Sequence, residues 1–549
     1  MQASIFLPSR LIYLDGSVSD EDNCVVKLCL TARLEQKETK YMTLSHRWGD
    51  PSQIFKLTCD NMDELNLGVP LSRLPPTFRG ALEFALFCDV RYVWIDALCI
   101  KQDDRLDWSM EAPSMGLIYH NAFCNLSAAG SGDPANGLFT TRMTSQSAPI
   151  WVSPRPELWN GPDWKVVSEG EIYTCMPQDF FERDVELAPV NERAWVMQER
   201  LLSPRKIYFT DQQLFWECRK GKACEMFPNG IPEEPDDWTP PMFGLSYGCG
   251  RHDVFLRSVI DTAVRLRQMG HSGPLPNQED RTRLLRAWKE LLRHYISCEI
   301  TYASDRLMAI SGVTTYFEQA LGDECVFGLW RSQLPFQLAF LYANEPKSTK
   351  QDPIEGNQKV PSWTWAYHER KVQAPPDTLD PEHDKYMWAD MGTSEALVTV
   401  MDITFDEKVL LPPTEVDGIW FEKQFPACLH LLCHLLPCMH AVDDDDNTEE
   451  DTSKNTNSEW GIKVVIFVGG MTTTARIKFD SEVPDNASIM PVYWWKPKMG
   501  RALVVSQVGG EGSRMFKRTG FLQVEPPFWS LFHDYWEVCG DEQESICLV

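Results

Sequence analysis

The sequence predicts an α/β domain with a parallel, doubly wound (Rossmann-like) sheet, followed by a helical region and a β-rich C-terminal domain. Apolar strand-like runs alternate with helix-like segments over the first 225 residues, an order typical of parallel βαβ units. From residue 251 to about residue 343, apolar residues recur at helical spacing. After Pro361 the pattern changes to short β-type runs.

The N-terminal alternation can be followed element by element. A β-type run covers residues 41–46, and a nearly continuous apolar run over 90–95 is typical of a strand buried on both faces. Between them, residues 78–88 carry apolar side chains at helical spacing. A helix over 107–119 and a strand over 122–129 continue the order. Ligands bind such sheets beyond the carboxyl ends of the strands, so we expect a site there.

The next 100 residues complete this domain and lead out of it. Residues 150–190 are rich in Pro, Trp and Asp and indicate a long loop or small insertion. A helix over 191–202 precedes a hairpin with strands 206–210 and 213–218. Five prolines and several glycines between 226 and 250 predict a linker.

The predicted units have the following boundaries. They are an α/β domain over 1–225, a linker over 226–250, a helical region over 251–370 and a β-rich domain over 371–549. Strand candidates in the last unit cover 396–403, 463–468, 473–479 and 502–508. An acidic segment over 441–459 is expected to be a solvated loop, or alternatively a docking site for a basic partner.

Composition excludes several classes of protein. The net charge of −27 and a pI near 4.8 argue against binding nucleic acid or anionic lipid with the whole surface. We expect a cytoplasmic protein, because neither a secretory signal nor an 18-residue apolar run is evident. The 17 cysteines are odd in number and lack the spacing of a disulfide framework, so reduced thiols are expected.

Polar residues cluster where the predicted strands end. Ser45 and His46 end one strand, and Asp96 ends another, with Cys99 shortly beyond it. A Cys, a His and an Asp on separate strand ends are the residue types of a nucleophile, its base and an orienting group. The alternative is that Cys99 is a buried thiol without reactivity.

Three carboxylates, Glu111, Glu199 and Glu217, are further candidates for acid–base chemistry or for helix-surface ion pairs. Trp195, Gln198 and Glu199 fall on one face of the predicted helix. That face could clamp a ligand or tie the helix to the sheet through a buried polar network.

A string of cysteines and histidines between Cys428 and His440 has enough ligands for Zn²⁺. Its spacing matches no Cys-x2-Cys finger, and the intervening leucines are typical of a core. The sequence therefore favours core over metal, and we assign no metal. No Gly-rich phosphate loop is present.

The N-terminal region resembles the fungal heterokaryon incompatibility (HET) domain proteins. Tyr41-Met-Thr-Leu-Ser-His-Arg-Trp-Gly49 is similar to the family pattern Tyr-x-x-Leu-Ser-Tyr/His-x-Trp-Gly. Tyr92-Val-Trp-Ile-Asp-Ala-Leu-Cys-Ile-Lys-Gln-Asp103 is similar to Leu-Trp-Ile-Asp-x-x-Cys-Ile-x-Gln. Arg193-Ala-Trp-Val-Met-Gln-Glu199 resembles the closing Arg-x-Trp-x-x-Gln-Glu block, with Ala194 where Gly is common.

The resemblance implies a fold distantly similar to TIR domains and a role in non-self recognition that ends in programmed cell death. Because some TIR domains cleave NAD, it also makes NAD a possible substrate. Together with the strand-end positions, it gives Asp96, Cys99, Glu111 and Glu199 as the candidate catalytic residues. As pocket or motif residues it suggests Ser45, His46, Trp48, Gly49, Gln102, Tyr119, Arg193, Trp195 and Gln198.

Three functions remain open from the sequence. The first is cell-death signalling through the HET domain, with a partner protein or self-association. The second is a stand-alone enzyme that acts on a small molecule, by NAD cleavage or another fungal metabolic step. The third is an interaction scaffold without chemistry.

Overall fold

The computed structural model describes about two thirds of the chain, in segments. These are residues 6–16, 24–34, 39–50, 54–140, 142, 150–152, 173–175, 180–231, 278–302, 305–338, 340–342, 360–367, 372–373, 394–396, 399–411, 421–433, 435–441, 462–468, 471–479, 487–495, 499–509, 513–524 and 543–549. The predicted acidic segment beyond Ala441 and most of the predicted linker lie outside these residues. None of the helices in the described segments is long and apolar enough to cross a bilayer.

Within the described residues the N-terminal sheet has nine strands. They are β1 (Arg10–Asp15), β2 (Val25–Leu30), β3 (Tyr41–Ser45), β4 (Val69–Pro70), β5 (Tyr92–Trp94), β6 (Cys124–Ser127), β9 (Arg205–Phe209), β10 (Leu214–Cys218) and β11 (Gly221–Cys224). A separate short pair is formed by β7 (Ile150–Val152) and β8 (Tyr173–Cys175).

The sheet is mixed, with a parallel centre. The strand order is β11-β10-β9-β6-β3-β5-β1-β2-β4, and the pairs β9–β6, β6–β3 and β3–β5 are parallel. The flanking pairs are antiparallel. The prediction of an α/β sheet with parallel strands is confirmed, whereas a wholly parallel sheet is not. Short connections, such as the turn between β9 and β10, can join only antiparallel strands.

Six α-helices accompany this sheet among the residues that the structure describes. They are α1 (Met62–Leu67), α2 (Pro76–Phe87), α3 (Asp96–Cys99), α4 (Arg105–Glu111), α5 (Met115–Asn121) and α6 (Ala194–Leu202). The helix predicted over 107–119 is divided into α4 and α5 by a 3₁₀ turn, Ala112–Ser114. Pro113 lies in that turn, where its missing N–H removes a helical hydrogen bond.

The middle of the chain continues with α7 (Gln278–Ser297), α8 (Met308–Leu321) and α9 (Leu334–Gln337). Short pairs β12–β13 (Cys325–Val326, Leu329–Trp330) and β14–β15 (Leu341–Tyr342, Val372–Gln373) follow. One cluster of buried apolar side chains runs from Ala194 and Leu202 on α6 through α7 and α8 into the C-terminal sheet. The helix that closes the N-terminal domain is therefore also part of the core of the following region.

The described part of the C-terminal region forms a sheet of ten strands, which confirms the β-rich prediction. They are β16 (Ser394–Ala396), β17 (Thr399–Leu411), β18 (Phe421–Cys433), β19 (Leu436–Ala441), β20 (Ile462–Val468), β21 (Met471–Phe479), β22 (Ala487–Trp495), β23 (Met499–Gln507), β24 (Met515–Val524) and β25 (Glu544–Leu548). β25 lies between β18, antiparallel to it, and β24, parallel to it.

Candidate functional site

The site forms at the carboxyl ends of the central parallel strands. Ser45 is the last residue of β3, and Asp96 opens α3 just beyond β5. Asn125 on β6 is the register partner of Thr43 on β3. Since β3 lies between β5 and β6, the strand ends converge on one edge of the sheet, and α6 brings Glu199 to the same place.

A buried hydrogen-bond network surrounds the Glu199 carboxylate. The Ser45 hydroxyl donates to Glu199 Oε2 and accepts a hydrogen bond from Asn125 Nδ2 at 3.0 Å. Asn125 Oδ1 in turn accepts from the Thr43 hydroxyl at 3.0 Å. Glu199 is 2% exposed, so this carboxylate is shielded from bulk water. The network fixes the position of the carboxylate relative to β3 and β6.

Burial raises the pKa of Glu199 to about 7. The nearby Asp96 carboxylate also raises this pKa, while the Arg193 guanidinium and the hydroxyls of Ser45 and Tyr119 oppose the change. A carboxyl group with a pKa near neutrality can both accept and release a proton under cellular conditions. Glu199 is therefore the described side chain best suited to acid–base chemistry at this edge.

His46 lies beside this network as a neutral imidazole. Its ring meets Phe78 edge-on at 4.8 Å and is nearly parallel to Trp48 at 6.4 Å. Burial lowers the pKa of His46 to about 4, against the opposing effect of Asp96, whose Oδ1 is 3.7 Å from Nδ1. The Arg193 guanidinium donates to the His46 carbonyl and so connects the start of α6 to the end of β3.

Asp96 is oriented by its neighbours and reaches the surface. Trp48 Nε1 donates to Asp96 Oδ2 at 2.9 Å, and the Ala97 amide donates to Oδ1 at 2.7 Å. The Asp96 side chain is 15% exposed, whereas Ser45, His46 and Glu199 are almost fully buried. Gln102 supports the same turn by donating to the Asp96 carbonyl at 3.1 Å.

Cys99 and Glu111 lie in other environments. Cys99 belongs to the apolar core of the N-terminal domain, and burial raises its thiol pKa to about 12. Glu111 accepts a hydrogen bond from Ser9 and lies 3.3 Å from Arg10, which also binds Asp107. These contacts attach β1 to α4. We build the proposed site without Cys99 or Glu111.

The remaining predicted residues pack around the site and do not belong to the Glu199 network. Gly49 has a φ of +63°, and a Cβ there would lie 2.7 Å from Asp133 Oδ2, so a side chain at this position would strain the backbone and displace Asp133. Trp195 meets Trp108 edge-on at 6.4 Å. Gln198 is 1% exposed and faces α8 at Gly312 rather than the Glu199 network.

Asn125 and Phe78 were not predicted as site residues. Asn125 is a polar residue inside an otherwise apolar strand, a signal from which its buried hydrogen bonds could have been inferred. Phe78 gives no such signal, because it lies on the apolar stripe of α2 like any core residue.

Comparison with known families decides what kind of domain this is. The model of the heterokaryon incompatibility protein (HET) family matches residues 41–199. The chain carries a HET domain. The match begins at β3 and ends at Glu199, so it contains the strands, the Asp96 turn and the part of α6 that form the site. No curated protein and no solved structure matches the chain.

The two buried titratable groups predict an unusual pH dependence of HET-domain stability. Between pH 4.5 and about 7 the unfolded chain loses the Glu199 proton that the folded chain keeps, so stability falls as pH rises. Between about pH 4 and 6.5 the unfolded chain binds a His46 proton that the folded chain does not, so stability falls as pH falls. Each of these two pKa shifts changes the free energy of unfolding by about 3 kcal/mol across its pH range.

In the wild-type chain these two effects oppose each other. We expect Glu199→Gln to remove the effect of Glu199 and to leave that of His46. The unfolding free energy of the variant should therefore rise by about 3 kcal/mol from pH 4 to 6.5. Urea unfolding across this pH range measures the slope in both proteins. The same slope in the variant and in the wild type would contradict the assigned ionisation of Glu199.

Proposed function

We propose that this protein is a heterokaryon-incompatibility-type protein that takes part in non-self recognition and triggers cell death through its HET domain. The observation that carries the proposal is the match of residues 41–199 to the HET family, together with the Glu199 network within those residues. The chemistry or the binding surface that triggers cell death lies at the carboxyl ends of the strands, with Glu199 at its centre. A partner protein or self-association supplies the signal.

The region after the HET domain is suited to control α6. The Ala194 amide at the start of α6 donates to the Glu299 carbonyl at 2.9 Å, and Arg47 pairs with the Glu299 carboxylate at 2.8 Å. Farther along the helices, Gly116 on α5 and Gly312 on α8 lie so close together that α5, α6 and α8 pack against one another at this point. Because Glu199 lies on the buried face of α6, access to its carboxylate requires α6 to move relative to the elements packed against it.

Gly312→Ala is expected to loosen this contact. An added Cβ would lie 2.9 Å from the Gly116 Cα and 2.7 Å from Gln198 Oε1, so α8 must shift away from α5 and α6. We expect a destabilisation of about 1–3 kcal/mol, measured by urea unfolding. Gly132→Ala is the matched control, because no heavy atom lies within 4 Å of its Cβ position. Equal stability of the two variants would contradict the close packing.

Induced expression of the full-length chain in fungal cells tests the proposed function. We expect induction to reduce the surviving fraction, and Gly312→Ala to reduce it further at equal protein level, since the variant frees α6. The Gly132→Ala chain should behave like wild type. Full survival with the wild type and with Gly312→Ala, at confirmed expression, would overturn the proposal.

A second candidate is an enzyme that acts on a small molecule, with NAD as the substrate to test first. It is favoured by the pKa of about 7 for Glu199, which suits a proton-transfer group at neutral pH. Nicotinamide release by the purified full-length chain, alone and as Gly312→Ala, measures this activity. Release that Glu199→Gln abolishes would support the enzyme, and absence of release from both folded proteins would count against NAD cleavage.

A further inference from the structure

Two cysteines and a histidine meet on the C-terminal sheet, away from the HET domain. The structure joins Cys428 on β18 to Cys547 on β25 as a disulfide, with a Cα–Cα distance of 5.6 Å. The ligand atoms of Cys428, His430 and Cys547 all lie within 4.8 Å of one another. The expectation of reduced thiols throughout the chain is therefore not met at this pair.

The strand register explains why these three side chains converge. His430 is directly opposite Cys547 in the antiparallel β18–β25 pair. Cys428 precedes His430 by two residues and so shares its face of the sheet. Leu429, Leu431 and Cys433 occupy the other face and are buried in the apolar core. Cys433 is consequently separated from the cluster, although the sequence places it in the same string.

We propose that Cys428, His430 and Cys547 bind one Zn²⁺ when the two thiols are reduced. Two thiolates and an imidazole are a common zinc ligand set, with metal distances of about 2.3 Å to sulfur and about 2.0 Å to nitrogen. Ligand atoms within 4.8 Å of one another can surround one such ion. Water takes the fourth position.

The imidazole distinguishes this cluster from a simple disulfide. A disulfide requires only two sulfurs, and a third ligand atom within 4.8 Å adds nothing to it. A metal ion, in contrast, needs the nitrogen of His430. Cys428 is buried and His430 is half-buried, so the cluster has one side in the protein and one side open to an entering ion.

The two states of the cluster interconvert by ordinary thiol chemistry. A cellular dithiol supplies two electrons and two protons to the Cys428–Cys547 disulfide, which yields two thiols while the dithiol becomes a disulfide. Zn²⁺ then binds the two sulfurs as thiolates, and the two thiol protons pass to solvent. The bound ion would replace the disulfide as the covalent connection between β18 and β25.

Cobalt substitution of the full-length chain tests this proposal. The protein is reduced with a phosphine, desalted without oxygen and titrated with Co²⁺, then with Zn²⁺. We expect about one Co²⁺ per chain with a thiolate charge-transfer band, displaced by Zn²⁺. The charge-transfer intensity should fall by about half in Cys547→Ser, which retains one sulfur ligand, whereas Cys59→Ser, at an exposed cysteine of the HET domain, should match wild type.

His430→Ala separates the two interpretations without disturbing either cysteine. We expect it to weaken Co²⁺ binding at least about tenfold while the oxidised protein keeps its disulfide and its circular dichroism. Unchanged Co²⁺ affinity in His430→Ala, or no Co²⁺ band in the reduced wild type, would overturn the zinc site. Either result would mean that the three residues form a disulfide beside a histidine and not a metal site.

Discussion

Glu199→Gln is expected to abolish killing by the full-length chain while leaving it folded. Glutamine has nearly the same shape and can still accept a hydrogen bond from Ser45, but it cannot ionise. If Glu199 transfers a proton, its loss should reduce activity by at least about 100-fold. Survival of cells after induction, at equal protein level, is the measurement.

Glu64→Gln is the matched control for this experiment. Glu64 lies on α1 of the HET domain, and its half-exposed carboxylate pairs only with the surface residue Arg73 among the contacts that the structure gives it. We expect this variant to kill like wild type. Ser45→Ala, which removes the hydroxyl that positions Glu199, should give an intermediate loss. Undiminished killing by Glu199→Gln would show that the carboxylate has no part in the activity.

Glu217→Ala is expected to destabilise the HET-domain region by about 3–5 kcal/mol. Glu217 on β10 is fully buried opposite Lys206 on β9, with Oε2 3.2 Å from Nζ, and it also accepts a hydrogen bond from Tyr208. Removal of the carboxylate takes away the negative charge that lies 3.2 Å from the buried Lys206 ammonium group. Urea unfolding, with amide exchange in β9 and β10 as the local probe, measures the loss.

Two comparisons show whether the buried charge is responsible. The double variant Lys206→Met with Glu217→Leu should be more stable than Glu217→Ala, because it removes both charges together. Glu64→Ala should lose no more than about 1 kcal/mol, since its pair with Arg73 is exposed to water. A loss below about 1 kcal/mol for Glu217→Ala would contradict the buried pair.

The centre of the N-terminal sheet could be predicted because local pattern and tertiary role agree there. The apolar run that contains β5 is buried on both faces and has to be a central strand, and β3 and β6 follow the same logic. Their order in the chain then places Ser45 and Asp96 at one edge of the sheet. The antiparallel β9–β10 hairpin was predicted from its two β-type runs. The flank formed by β1 and β2 was not predicted, because these strands precede the first recognised strand and pair through long-range contacts.

Fewer than half of the strands described in the C-terminal sheet were predicted, and the run predicted over 396–403 covers the end of β16 and the start of β17. The run predicted over 463–468 is β20, and those over 473–479 and 502–508 correspond to β21 and β23. Their pairing was not predictable from local sequence. β25 is five residues long and joins the sheet between β18 and β24, which precede it by many residues. For that reason the convergence of Cys547 with His430 had no signal in the sequence.

At the site, the motifs identified residues but not their surroundings. Glu199 was one of several candidate carboxylates, and only its burial against Ser45 distinguishes it from Glu111, which pairs with Arg10. Cys99 was attractive by residue type, but the pKa of a thiol depends on its solvation, which spacing cannot give. Environment, not residue identity, therefore selects Glu199.

The most direct test of the account combines two substitutions in the full-length chain. Gly312→Ala loosens the contact between α8 and α6, and Glu199→Gln removes the ionisable group that α6 carries on its buried face. Survival of fungal cells after induction is compared for Gly312→Ala and for the double variant at equal protein level. We predict that Gly312→Ala kills more cells than wild type and that the double variant kills none. Killing by the double variant equal to that by Gly312→Ala would contradict a site centred on Glu199.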